Sequence, residues 1–438
     1  MQLNRLTLTQ FRAFEQATFD FHPGMNLLVG INGVGKSTVL DALRIMLSQV
    51  MPMFTASRSK PFDFEVNDIT VGRGALTTKL EFQAAEIDFQ YLVHKPRQDY
   101  VVDTSREGEV RDQTYNLVKR QDLTRTPDGK DIPKKLRSAS KQPLAVYFST
   151  RRSLPLMKTP RSSAGGQAAA FTESLGHREL RLREFTDWWI AQEALGKEGL
   201  LQAQKNLEAL SDAVRDFMDT VTHLRAVREP ETTLLLDKSG VTLDVRQLSD
   251  GERGVLALVL DLARRLAQAN PGSEDPLHEG QAVVLIDELD LHLHPIWQRD
   301  IVAKLTTTFP SCQFIATTHS PQIVGEVKPP GISLITKESN QIVVIQEGIQ
   351  GYGLASGWIL EHLMGTASRN ASTQAQINLV EDALEEGDLE LARSRLEQLQ
   401  TMIQGSDDEV IRLGASVNNL EALAEDVDLD DEMDSEEE

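Results

Sequence analysis

Apolar residues recur along the chain with a period that changes from segment to segment. Leu6, Leu8, Phe11 and Phe14, followed by Ala17, Phe19 and Phe21, predict two short strands around a turn. Met25-Asn26-Leu27-Leu28-Val29 is a brief apolar run ending at Gly30, as expected of a buried strand. From Lys36 to Val50 the apolar positions Val39, Leu40, Leu43, Met46 and Leu47 follow helical spacing. Alternation returns at Thr77 to Phe82 and at Ile87 to Val93. Between Lys95 and Arg161 the texture turns to Lys, Arg, Ser, Pro and Gly, and Gly129–Lys141 has no periodicity. This predicts an irregular insertion interrupted by one buried strand, Leu144-Ala145-Val146-Tyr147-Phe148. Residues 178–225 read as helical throughout, with Leu182, Phe185, Trp188, Trp189, Leu195, Leu201 and Leu207 as the apolar face. A strand at Ile342 to Ile345 closes the body. Two helices follow, at 373–403 and 408–424, separated by a loop at Gly405-Ser406-Asp407. Glu425 to Glu438 is expected to be a solvated, disordered acidic tail.

Composition narrows the class. At 438 residues and 40% hydrophobic, the chain is long enough for a large core and two or three domains. A single cysteine, Cys312, rules out a disulfide framework and fits a reducing compartment. The N-terminus lacks the basic-then-apolar order of a secretion signal, and no apolar run reaches the roughly 18 residues of a membrane span. A soluble, cytoplasmic protein without membrane contact is expected. The net charge of −21 is unevenly placed: residues 379–438 hold 21 acids against three arginines, which leaves the preceding body at −3. The acidic total therefore does not exclude a nucleic-acid partner for the body.

Four segments carry candidate chemistry. Gly30-Ile31-Asn32-Gly33-Val34-Gly35-Lys36-Ser37-Thr38 matches the phosphate loop G-x-x-x-x-G-K-[ST], and it sits in the strand–loop–helix context that motif needs. Its glycines admit backbone N–H groups to the phosphates of ATP, with Asn32, Gly33, Gly35 and Thr38 lining them. Lys36 is placed for the β- and γ-phosphates, and the Ser37 hydroxyl for Mg²⁺. The apolar run Val283 to Ile286 delivers Asp287 and Glu288 together. Asp287 suits Mg²⁺, held directly or through water, and Glu288 suits the general base that orients the attacking water. Ser249-Asp250-Gly251-Glu252 is a capping box opening a helix from Arg253 to Ala267. Since Lys36 already serves the phosphates within one chain, and Gly251 leaves the helix end bare, this second anion site is expected to grip the ATP of another subunit. Thr317-Thr318-His319-Ser320 follows an apolar strand, and His319 is placed to sense the γ-phosphate. A metal site built from His292, His294 and His319 is disfavoured, because no cysteine or carboxylate cluster completes a tetrahedral set.

The ordered set resembles the nucleotide-binding heads of ABC-type ATPases, in the branch of SMC proteins, RecF and the overcoming-lysogenization-defect ATPases. The resemblance rests on Asn4-Arg5-Leu6 through Phe11-Arg12-Ala13-Phe14, on Leu248-Ser249-Asp250-Gly251-Glu252, and on Asp287-Glu288-Leu289-Asp290-Leu291-His292-Leu293-His294-Pro295. It implies an α/β fold: a P-loop head with an antiparallel β subdomain, a helical insertion and a C-terminal helical unit. It also implies that Arg12 lies near the nucleotide, that Ser249 and Gly251 act across a dimer, and that Asp290 begins the loop crossing to the partner. The domains expected are an N-terminal lobe (1–94), a basic and helical insertion (95–240), a C-terminal lobe (241–365), a helical unit (366–424) and the tail (425–438). The glutamine such heads carry after the phosphate loop has no clear place; residues 146–155 are its expected region, where Ser-Thr-Arg-Arg stands instead. The absence of a long heptad run excludes an SMC-type coiled-coil arm.

More narrowly, chain size, Val146-Tyr147-Phe148-Ser149-Thr150-Arg151-Arg152 and the helical unit with Glu386-Gly387-Asp388 resemble the PtuA family of Septu and retron anti-phage systems. That resemblance implies a sensor or regulator working with a separate HNH nuclease. The competing expectation is a RecF-like repair ATPase that binds DNA directly. A DNA contact through Lys119, Arg120, Arg125, Lys130, Lys134, Lys135, Arg137, Arg151 and Arg152 is compatible with either. A self-contained nuclease is disfavoured, since the roughly 90 residues after Gly348 offer no strand-borne Asp-x-Asp. A transporter ATPase is remote, because nothing membrane-directed accompanies the motifs.

Overall fold

The computed structural model describes residues 1–97, 115–116, 132–150, 166–176, 182–229, 231–339 and 341–436. In chain order it begins β1 (Gln2–Phe11), β2 (Phe14–Asp20), β3 (Met25–Val29), α1 (Lys36–Phe54), β4 (Ala75–Ala84), β5 (Ile87–Pro96) and β6 (Tyr115–Asn116). There follow α2 (Ile132–Arg137), β7 (Leu144–Phe148), α3 (Leu182–Lys197), α4 (Leu201–Phe217), β8 (Val221–Val227), β9 (Thr233–Lys238) and β10 (Val241–Asp244). Next come α5 (Asp250–Ala269), α6 (Pro276–Glu279), β11 (Ala282–Ile286), α7 (Pro295–Thr308), β12 (Cys312–Thr317) and α8 (Pro321–Val324). The chain ends with β13 (Ile332–Glu338), β14 (Gln341–Ile345), α9 (Ser356–His362), α10 (Ala371–Glu385), α11 (Leu389–Ile403) and α12 (Asp408–Glu436). It divides into two compact units, residues 1–359 and 360–438.

In the first unit a six-stranded sheet has the order β14-β13-β3-β12-β11-β7, parallel throughout except for the terminal β13–β14 hairpin. Strands β3, β7, β11 and β12 are buried at every position, as a parallel sheet covered on both faces requires. A second, antiparallel sheet runs β2-β1-β4-β5-β6. There β4 alternates strictly between buried and half-buried residues, the pattern of a strand with one face in the core. Buried Gln313 on β12 joins the two sheets: its side chain accepts from the Leu3 N–H (2.7 Å) and donates to the Leu3 and His22 carbonyls (2.9 and 3.0 Å). A small antiparallel sheet, β10-β9-β8, precedes α5.

Four expectations need correction. Residues 178–225 are not helical throughout: α3 and α4 part around Gly199 at φ +93°, and from Val221 the chain is strand β8, where Val221 pairs with Lys238 and His223 with Asp237 of β9 and Thr222 sits at the register shift between them. The stretch read as irregular before β7 contains α2, a helix of under two turns that is too short to show a period. The C-terminal unit has three helices rather than two. Gly387 at φ +76° turns the chain, and the Asp388 side chain caps α11 by accepting from the Leu391 N–H at 2.9 Å. Helix α12 also runs on to Glu436, through the segment expected to be a disordered tail. Neither Gly nor Pro follows Gly414, and acidic density opposes burial without opposing helix formation. Ile377, Val380, Ala383, Ala392, Leu396, Leu399, Val410, Leu413 and Val417 form the core of this unit.

Within α5, Asp261 is buried between Arg264 (2.6 Å) and Arg265 (2.7 Å), and Arg265 also donates to the carbonyls of Ala170 and Thr172. Burial alone would raise the Asp261 pKa; the two guanidiniums overcome it and hold the carboxyl at about 2. A carboxylate depressed in the folded state adds stability above its unfolded pKa and loses it as pH falls through the folded value. Asp261→Asn is therefore expected to cost about 3 kcal/mol in urea unfolding at neutral pH, because it leaves buried guanidiniums uncompensated. The difference from the parent should shrink as the pH falls from 4 to 2. A loss below about 1 kcal/mol would show that the pair is dispensable. No helix among the described residues is long and apolar enough to cross a membrane.

Candidate functional site

Parallel pairing in the central sheet sets the position of the site. Leu27 lies opposite Ala316, Ala316 opposite Ile286, and Ile286 opposite Phe148, so β3, β12, β11 and β7 end at one edge. Ligands of open α/β sheets bind beyond such carboxyl ends. The four candidate segments, up to some 290 residues apart in sequence, therefore include three that issue from this single edge: the loop after β3, the Asp287-Glu288 pair after β11 and the Thr318-His319 pair after β12.

The phosphate loop is shaped by its glycines. Gly30 has φ +153°, and a Cβ there would lie 2.2 Å from the Ile335 carbonyl oxygen; Gly35, at φ +101°, packs against the Phe14 ring. Lys36 is buried at the start of α1 and donates to the Gly30 (2.8 Å) and Ile31 (3.0 Å) carbonyls. Burial lowers its pKa from the ordinary lysine value, while Asp287, Glu288 and Asp290 push it back up. Asn32 and Gly33 are exposed at the loop tip, Ser37 is exposed and Thr38 half-buried.

Ser37 Oγ donates to Asp287 Oδ1 at 2.9 Å, and Thr317 Oγ1 donates to the same oxygen at 2.7 Å. Oxygens of this kind are the hard donors Mg²⁺ prefers. Adjacent ligands of an octahedral Mg²⁺ with bonds of ~2.1 Å stand about 3.0 Å apart, close to the Ser37–Asp287 separation of 2.9 Å, so the donor set and its spacing are compatible with that ion, which would take the place of the hydrogen bond between them. Glu288 follows at φ +50°, a left-handed turn that costs a non-glycine residue about 1 kcal/mol. Its N–H is held by Thr317 Oγ1 at 2.7 Å. Asp290 Oδ1 accepts from Thr318 Oγ1 (2.6 Å) and from the His319 N–H (3.0 Å). Thr317 and Thr318, which sequence reasoning quoted but gave no role, thus fix all three acids; the available signal was a pair of hydroxyl residues at the end of a buried strand beside the acidic one. The His319 side chain is exposed at the same edge.

The Ser249 segment forms the capping box its sequence predicts. Glu252 N–H donates to Ser249 Oγ at 3.3 Å, while the Ser249 N–H and Oγ donate back to Glu252 Oε2 at 3.0 and 2.9 Å. The glycine has a different reason from the one expected. A Cβ on Gly251 would lie 2.3 Å from the His292 carbonyl oxygen, so its absence lets the Asp290–Leu293 turn pack against the start of α5 rather than leaving the helix end bare. His292 sits in that turn at φ +61°, and His294 caps α7 by accepting from the Ile296 N–H at 3.3 Å. Arg12, at φ +52°, reaches α1 through Asp41 (2.9 Å) and holds Asp68 (2.9 Å). Its partners were not visible from spacing.

Of the basic residues considered for DNA contact, Lys134, Lys135 and Arg137 are exposed on α2. Lys119, Arg120, Arg125, Lys130, Arg151 and Arg152 lie outside the described residues, as does part of the region expected to hold the glutamine.

The chain is similar to proteins already known. A family model described as an AAA domain, putative AbiEii toxin, type IV TA system matches residues 25–325. The chain is 43% identical over 165 residues to the Retron Ec83 probable ATPase of Escherichia coli, which is 38% of this chain and 29% of the relative. It is 24% identical over 362 residues to the Septu protein PtuA of Bacillus thuringiensis, covering 79% of this chain and 80% of that one. The matched region thus spans less than a third of the retron relatives' length. Among solved structures, the SMC head domain from Thermotoga maritima aligns over 80% of this chain and 100% of its own, with a TM-score of 0.43 and 16% identity.

Proposed function

This chain belongs to the family of AAA domains described as putative AbiEii toxin of a type IV TA system, and we propose that it hydrolyses ATP at the edge of its central sheet as an ABC-type ATPase. The observation that carries the reading is the convergence of three distant segments in one hydrogen-bonded network, Ser37–Asp287–Thr317–Glu288 together with Asp290–Thr318–His319. Lys36 and the phosphate-loop N–H groups bind the polyphosphate. Ser37 and Asp287 would hold Mg²⁺, which supplies charge neutralisation at the β- and γ-phosphates. Glu288 orients the attacking water and takes its proton, and His319 stands at the γ-phosphate end. Ser249 of a second copy closes over the nucleotide, its helix end held by the packing of Gly251 against the Asp290–Leu293 turn, with Arg12 supporting the phosphate-loop helix through Asp41.

On this reading the ATPase is the sensor or regulator of a separate HNH nuclease in anti-phage defence. The Septu and retron names of the relatives support an ATPase of a defence system; the HNH nuclease enters through the resemblance to the PtuA family. Closing two heads on two nucleotides makes a switch: moving an equilibrium from 1:99 to 99:1 needs about 5.5 kcal/mol of differential binding, within reach of ATP gripped from both sides.

The test combines phosphate release with analytical ultracentrifugation, with and without ATP and Mg²⁺, followed by native mass spectrometry of the chain co-expressed with a neighbouring HNH protein. ATP-dependent doubling of mass with phosphate release supports the ATPase, and a stable complex with the HNH protein supports the regulatory role. Absence of phosphate release would overturn the first. Duplex DNA retained by the ATP-bound dimer in place of the HNH protein would favour direct action on DNA, as in a repair ATPase.

A further inference from the structure

We propose that Lys238 is a positioning residue for the Ser249 segment: it holds the Glu252 carboxylate away when Ser249 engages a phosphate of ATP bound by a second copy of this chain. The inference rests on the reading that two copies enclose the nucleotide. Ser249 is exposed, yet its hydroxyl and its N–H both donate to Glu252 Oε2 at 2.9 and 3.0 Å. A phosphate arriving at Ser249 needs those donors and meets a negative charge already on them, and like charges in contact disfavour each other.

Protonation does not relieve the conflict. Burial works against the Glu252 charge, but Lys238 and Ser249 together hold its carboxyl below the ordinary range, so it stays ionised at neutral pH. The other carboxylate oxygen, Oε1, is taken by Lys238 Nζ at the end of β9. Both side chains are partly screened from water, at 28% and 13% exposure.

Nearby cations are engaged elsewhere. Arg253 pairs with Asp250 and donates to the Arg246 carbonyl; Arg246 pairs with Asp244 and Glu231; Arg225 pairs with Asp237. Among the described residues Lys238 is the cation paired with Glu252. It has two effects. It neutralises the carboxylate, so that an incoming phosphate does not meet a net negative helix end, and it retains that carboxylate when the Ser249 O–H turns outward.

The experiment uses the full chain in a Glu288→Gln background, so that ATP persists, and measures ATP-driven self-association by sedimentation. A fluorescent ATP analogue at low protein concentration reports binding to the single chain. Lys238→Met is expected to weaken self-association about tenfold or more while analogue binding changes less than about twofold. Adding Glu252→Gln, which keeps the cap and removes the charge, should restore self-association to within about threefold of the parent. Lys238→Arg should stay within about threefold without rescue. A Lys238→Met chain that associates as tightly as the parent, or a double variant no better than Lys238→Met, overturns the role of Lys238. Ser249→Arg separates the premise from the inference. If it still dimerises with ATP, the two-copy reading fails. If it is monomeric while Lys238→Met is unaffected, only the role of Lys238 fails.

Discussion

Replacing Glu288 with Gln is expected to lower phosphate release at least about a hundredfold while ATP remains bound. Glutamine is nearly isosteric, so the left-handed turn at this position and the N–H bond to Thr317 are retained. What disappears is the carboxylate proposed to accept the proton of water. With hydrolysis blocked and binding intact, the chain should accumulate as an ATP-bound dimer. Rapid-quench phosphate release, retention of labelled ATP on gel filtration and sedimentation measure the three parts separately. Turnover within about threefold of the parent would place the base elsewhere, and Asp290, held by Thr318 and the His319 N–H, would become the next group to test.

Lys36→Met is expected to act on the other side of the reaction, on binding. The methionine side chain follows the path of the lysine stem but brings no charge to the polyphosphate. Loss of charge-assisted hydrogen bonds of this kind corresponds to about a hundredfold in affinity, ~2.8 kcal/mol. Calorimetric titration with a non-hydrolysable ATP analogue reads this directly. The Gly30 and Ile31 carbonyls that Lys36 now satisfies lose a donor, so a melting curve run alongside separates a folding defect from a binding defect. Unchanged affinity in a folded variant would remove Lys36 from the phosphate site.

The parts of this molecule visible in the sequence are those governed by short-range rules. Buried strands β3, β7, β11 and β12 announce themselves as apolar runs because both faces of the central sheet are covered. The α5 cap was legible because Ser249 and Glu252 stand three residues apart, the spacing that closes a capping box. Strand β8 was missed for the converse reason. Its residues alternate only weakly between buried and exposed, and they follow a long helix without a proline to mark the change. The third helix of the C-terminal unit was missed because Leu384 and Leu389 keep the apolar pattern going across the turn at Gly387.

The same division runs through the site. The sequence by itself singled out the candidate groups, Lys36, Ser37, Asp287, Glu288 and His319, because phosphate chemistry uses those residue types in short fixed spacings next to strands. Tertiary structure alone decided what holds them. Parallel register placed Thr317 beside Asp287 and Glu288, a close backbone approach rather than an open helix end accounted for Gly251, and Lys238 was brought to Glu252 from β9. Spacing along a chain fixes which side chains share one turn or one strand end. Contacts between elements depend on how sheets and helices pack, and no local period records that.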